Sequence, residues 1–262
     1  MIPKIIHYCW FGKGLMPRSQ KDCIKEWKRL MPDYTIMRWD ESNFDPELCL
    51  YTSVAYKQKK YAFVSDVCRL QALSRLGGIY LDTDVELFQP LDTFLNCNFF
   101  SGVELYRDFF DENVAKQYLL PDGSPKSPNT DIPHFELLTS TMGSCPDNPV
   151  INSMLHTYLS LEGLDHNANL RQYVIFDRLL PRTLVPYGFR YIDQTQHLDN
   201  DMVVYATGTF GYRFSTNPKH TVSYHHNATT WDHSKWSKFA RLRYFLDQMG
   251  LKKMWHRPMK QS

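Results

Sequence analysis

No Cys-x-x-Cys pair occurs among the six cysteines, Cys9, Cys23, Cys49, Cys68, Cys97 and Cys145. That absence argues against a zinc ribbon and a thioredoxin-type redox site. The scattered thiols read as reduced cysteines of a cytoplasmic protein. No apolar run is long enough to span a bilayer. The opening MIPKIIHYCWFG is interrupted by Pro3, Lys4 and His7, so it lacks the continuous apolar segment of a secretory leader. Net charge is small as well: 30 Lys and Arg against 28 Asp and Glu leave +2. No global field therefore draws the chain to nucleic acid. Internal repeats and low-complexity tracts are also missing.

What is present is a chain of 262 residues, 43% apolar and 15% aromatic. That length fits one large α/β domain with room for a small appendage. Charge is unevenly spread. From residue 233 onward, Lys235, Lys238, Arg241, Arg243, Lys252, Lys253, Arg257 and Lys260 face a single acid, Asp247, which gives +7 there and −5 before it. Periodicity predicts strands over 2–10, 34–39, 79–81, 99–103, 202–206 and 221–225. It predicts helices over 18–30, 51–58, 62–76, 148–161 and 236–249. Pro149 opens the fourth helix, and Gly77-Gly78 stops the third. The alternation points to a mostly parallel α/β sheet. Residues 106–133 are rich in Asp, Pro, Gly and Ser and read as a long loop or lid.

The sharpest feature is Leu81-Asp82-Thr83-Asp84 at the end of a short buried strand. Ligands of open α/β sheets sit beyond the carboxyl ends of the strands. Two carboxylates there can hold a hard divalent cation, which in turn can grip a diphosphate. The plain alternative is a solvated acidic turn, since so short a pattern recurs often. Asp66 adds context. It falls inside the apolar stripe of the preceding helix, flanked by Phe63, Leu70 and Leu73, where a carboxylate is normally paired or liganded. Arg69, three residues on, can pair with it. An internal ion pair and a grip on sugar hydroxyls are both open readings. Near the C-terminal end, His225-His226-Asn227-Ala228-Thr229-Thr230-Trp231 follows a strand-like run, and a neutral histidine can complete a manganese shell. Two adjacent histidines are also common without any metal. His7 sits within the first strand and reads as a satisfied core histidine. Trp27 and Trp39 read as core.

Four segments together resemble glycosyltransferase family 32, which includes capsule-synthesis enzymes of bacteria and fungal mannosyltransferases; the clostridial glucosylating toxins are more distantly similar. They are residues 2–12, Ser65-Asp66-Val67-Cys68-Arg69, Gly77-Gly78-Ile79-Tyr80-Leu81-Asp82-Thr83-Asp84, and His225-His226 through Trp231. The resemblance is close over roughly the first 105 residues and looser beyond, as expected where loops diverge. It implies a GT-A-type nucleotide-diphospho-sugar transferase fold, with a catalytic domain over 1–232 and a basic helix and tail over 233–262. The 106–133 segment then becomes an acceptor-side loop or lid. It further implies that Trp10 stacks on the base, Asp66 and Arg69 hold the donor sugar, and Tyr80 lies against the nucleoside. Asp82 and Asp84 hold Mn2+ or Mg2+, His226 completes the metal shell, and Thr229 and Trp231 contact the diphosphate. Thr139 or Ser140 stands where relatives often carry asparagine, and Arg171 to Pro181 replaces a usual Gly-Pro.

The implied activity is transfer with retention, from a UDP- or GDP-sugar to a saccharide or lipid-linked acceptor in polysaccharide synthesis. Asp66 recognises hydroxyls in this scheme rather than attacking the sugar. The basic tail either packs on the domain or rests on an anionic membrane face. Two other classes stay in view, a metal-dependent phosphohydrolase acting on nucleotide-sugars and a carbohydrate-binding module without turnover.

Overall fold

The computed structural model describes residues 1–128, 130–170, 176–211 and 221–227. In chain order the elements are β1 (Ile5–Cys9), α1 (Arg18–Leu30), β2 (Thr35–Trp39), α2 (Leu50–Lys57), α3 (Tyr61–Leu76), β3 (Gly78–Leu81), β4 (Val85–Leu87), β5 (Phe99–Leu105) and α4 (Glu112–Tyr118). They continue with β6 (Phe135–Leu137), β7 (Thr141–Ser144), α5 (Pro149–Leu159), α6 (Phe176–Leu184), β8 (Gln196–Leu198), β9 (Met202–Tyr205), β10 (Phe210–Gly211) and β11 (Ser223–His225).

The main sheet runs β2-β1-β3-β7-β5-β9-β8, with β6 attached to β5. Five of its eight strands, β1, β2, β3, β5 and β9, point one way; β6, β7 and β8 are reversed. This is the expected α/β class with a mostly parallel central sheet. A smaller sheet, β10-β11-β4, stands beside it.

Successive strand residues face opposite sides, and each side has its own core. Tyr80 and Phe99 join α2, α3, α5 and α6 on one face. Ile79, Leu81 and Phe100 join α1 and the small sheet on the other. Trp27 ties α1 to the small sheet by donating its indole N–H to the Val85 carbonyl at 2.9 Å. His7 is fully buried and satisfied: Trp39 donates to its Nδ1 at 3.1 Å, and its Nε2 donates to the Gly77 carbonyl at 2.8 Å. All six cysteines are free.

Two local signals position the site. Gly77 and Gly78 have φ of 61° and 105°, and the chain passes from α3 into β3 with no linker. Asn148 caps α5 by accepting from the Val150 and Ile151 amides, with Pro149 in the first turn. One expectation needs correction. Residues 106–133 are not simply a loop, because α4 forms within them, capped by the Asp111 carboxylate. The expected helix over 236–249, with the basic tail, lies outside the described residues. Among the described residues, no helix is long and apolar enough to cross a membrane.

Candidate functional site

A cleft of about 410 Å³ opens where the main and small sheets meet. Its lining includes Asp66, Asp82, Glu104, Thr139, Asp177 and His225. Asp82 and Asp84 lie in the turn that leaves β3. That turn is closed by the Val85 amide donating to the Asp82 carbonyl, while the Asp82 amide donates to Ser140 in front of β7. Both carboxylates face His225: its Nε2 is 3.2 Å from Asp84 Oδ1 and 3.7 Å from Asp82 Oδ2. One ligand atom from each of the three residues lies within 4.8 Å of the others. Two hard oxygens and an imidazole suit a small divalent cation such as Mn2+. Burial lowers the affinity of His225 for a proton, but the Asp84 hydrogen bond and the charges of Asp84, Asp82 and Glu104 outweigh it and raise its pKa to about 9.

His225 stands where the family pattern had set His226. His226 turns outward and meets Glu86 Oε2 at 2.9 Å, and both side chains are largely exposed.

Asp66 and Arg69 do form the helical pair expected of them, at 3.1 Å. Arg69 is only 4% exposed. It also donates to the Thr139 carbonyl at 2.8 Å and lies 3.6 Å from Asp82. Its guanidinium covers the Tyr80 ring at 4.3 Å. Tyr80 in turn donates its hydroxyl to Asp82 at 2.9 Å. Tyr80 is thus buried, with Arg69 over its ring and its hydroxyl on Asp82. Arg69 backs both aspartates in the same way. Trp10 is half-buried, with its indole N–H given to the Gly14 carbonyl at 2.7 Å. Thr229 and Trp231 lie outside the described residues.

Sequence reading missed Glu104, from β5, and Asp177, from α6. Asp177 accepts from the Thr139 hydroxyl at 2.7 Å. Burial, reinforced by neighbouring carboxylates, pushes Asp66, Glu104 and Glu136 up to about 7 and raises Asp177. Burial is the main cause in each, so these carboxyls hold protons closer to neutral pH than exposed acids do. The one cue for Asp177 was the altered stretch from Arg171 to Pro181.

Residues 17–100 match the family described as "Glycosyltransferase sugar-binding region containing DXD motif". An uncharacterized glycosyltransferase of Acanthamoeba polyphaga mimivirus is 32% identical over 109 residues, covering 38% of this chain and 42% of that protein. Inositol phosphoceramide mannosyltransferase 3 of Schizosaccharomyces pombe is 36% identical over 106 residues, covering 36% of this chain and 28% of that protein. The chain thus spans less than half the length of these relatives. Among solved structures, the PaToxG glycosyltransferase superposes with a TM-score of 0.46 at 17% identity, covering 71% of this chain and 69% of that one.

Proposed function

We propose, for a chain carrying a glycosyltransferase sugar-binding region with its DXD motif, that it moves a sugar from a nucleotide diphosphate donor to an acceptor hydroxyl. The observation that carries this reading is the convergence of Asp82, Asp84 and His225 at the mouth of a cleft that also contains Asp66. These three residues would hold a divalent cation, Mn2+ or Mg2+, which when bound neutralises the charge of the diphosphate.

The remaining chemistry belongs to the chain. Asp66, fixed by Arg69, accepts hydrogen bonds from donor-sugar hydroxyls. Arg69 and Tyr80 keep Asp82 oriented, so that little reorganisation is needed when the substrate binds. Trp10 offers a ring to the base, and stacking admits either uracil or guanine. Thr229 and Trp231 complete the diphosphate contacts. The acceptor oxygen bonds to the anomeric carbon on the face that the diphosphate leaves. A leaving phosphate oxygen takes the hydroxyl proton, so configuration is retained with no enzyme nucleophile. A two-metal phosphohydrolase normally needs more ligands. Among the described residues only one group of three candidate ligands is found, which supports transfer over hydrolysis.

The test is calorimetry across UDP- and GDP-sugars with Mn2+, followed by a transfer assay. Asp84→Ala should lose metal-dependent donor binding and turnover together, and product NMR should show retention. A variant that binds and turns over as the parent does would end this reading. A role in polysaccharide synthesis, a cytoplasmic location and a membrane contact through residues 233–262 belong to the same proposal. Pelleting with anionic liposomes, with and without those residues, tests the contact.

A further inference from the structure

We propose that Glu104, Asp177, Tyr106 and Phe109 form an acceptor subsite that takes an uncharged carbohydrate and turns away anionic ones. This deepens the transfer reading and rests on it.

Glu104 and Asp177 line the same cleft as Asp66 and Asp82 but come from other elements, β5 and α6. Neither takes part in the Asp82–Asp84–His225 convergence. The Tyr106 hydroxyl donates to Glu104 and itself faces the cleft. Ser140 lies in the same wall; its hydroxyl, in a residue only 3% exposed, has no hydrogen-bond partner. From Tyr106 a series of rings leads outward. His134 lies 6.5 Å from Tyr106, and Phe109 lies 5.7 Å from His134. A tight turn, with the Phe109 amide donating to the Tyr106 carbonyl at 2.9 Å, holds Phe109 three residues on from the cleft-lining Tyr106. Phe109 is nonetheless 69% exposed, an unusual place for so large an apolar ring.

Carboxylates in the cleft and an open aromatic face one turn on from Tyr106 match a sugar. Hydroxyl groups donate to carboxylates, and the C–H face of a pyranose lies on an aromatic ring. A carboxylate- or phosphate-bearing acceptor would add negative charge to a wall already crowded with it.

The experiment uses the full chain with Mn2+ and UDP or GDP, and saturation-transfer NMR backed by calorimetry. Probes are methyl α-glucoside, α-galactoside and α-mannoside, with methyl glucuronide and mannose 6-phosphate as anionic counterparts. At least one neutral glycoside should bind, and its anionic counterpart about tenfold more weakly, a difference near 1.4 kcal/mol. Phe109→Ala, at an exposed position that leaves folding intact, should remove most of that binding. Glu104→Gln should narrow the gap between neutral and anionic probes. Binding by none of the neutral glycosides overturns the proposal. So does equal or tighter binding of an anionic probe, or unchanged binding in Phe109→Ala. Mn2+–nucleotide binding, measured in the same samples and in Asp84→Ala, reports separately on the donor side. If that binding is absent or insensitive to Asp84, the transfer reading has failed; if it is intact, only the acceptor assignment has.

Discussion

His225 reaches Asp84 because β11 pairs with β4 in a register that sets His225 against Val85, with the His226 amide donating to the Asp84 carbonyl at 3.1 Å. A shift of one residue in a strand moves a side chain to the other face. The two histidines therefore differ sharply despite being neighbours. His225→Ala should weaken Mn2+ binding by at least about tenfold, since even residues that only orient a ligand cost that much. His226→Ala should leave it within error. Competition calorimetry distinguishes them, and equal effects would mean that the pairing is misread. His7 offers a second test. Burial holds its pKa down at about 4, against an ordinary 6.5. The unfolded chain thus takes up a proton below about pH 6.5 that the folded one refuses until about 4. Stability from this group is complete above that window and is lost as pH falls through it. Between pH 7.5 and 5 the loss should approach about 2 kcal/mol. Urea titrations of the parent and of His7→Gln should show this slope in the parent and not in the variant. Parallel slopes would rule it out.

The junction of α3 and β3 sets the direction in which Asp82 and Asp84 leave the sheet. A methyl group on Gly78 would lie 2.7 Å from the Ile5 carbonyl oxygen, on a backbone with φ of 105°. Gly78→Ala should therefore cost about 2–3 kcal/mol in chemical denaturation. Gly14→Ala is the control: nothing lies within 4 Å of its added carbon, and the change should stay under about 0.5 kcal/mol. A tolerant Gly78 would show that the junction can move. This junction was readable in advance because its signals are local. Helix periodicity runs over sixteen residues of α3, glycine marks its end, and the acids follow within one short strand. Asp66 and Arg69 were readable for the same reason, being one helical turn apart. Elements with few residues were not. β4, β6 and β8 have three residues each, too few to display a period of two. α6 was hidden by Pro181 in its interior, a residue that ordinarily ends a helix. Glu104 and Asp177 went unread accordingly. Each is an isolated acid in sequence, and only the packing of β6 against β5 and α6 gives it acidic neighbours.

Across the molecule, the buried acids and the proposed cation act against each other. Asp66, Glu104 and Glu136 are raised to about 7 by burial, far above their values in an unfolded chain. Stability from these groups is fully present below about pH 4 and is lost as pH rises through about 7. At pH 8 the folded protein must hold all three charged, and a divalent ion in the cleft relieves that cost for Asp66 and Glu104, which line it. At pH 5.5 they are mostly protonated, and the ion has less to offset. Mn2+ should therefore raise the melting temperature more at pH 8 than at pH 5.5. For a domain of this size each kcal/mol relieved is worth about 2–4 °C. Differential scanning fluorimetry over that range, at fixed free Mn2+, measures it. The same scan on Asp84→Ala should show little effect of Mn2+ at either pH, because the ion would then lack its principal ligand. A metal-induced rise that survives in Asp84→Ala would locate the ion elsewhere on the chain. The acids of the cleft would then have to be explained by substrate contacts alone.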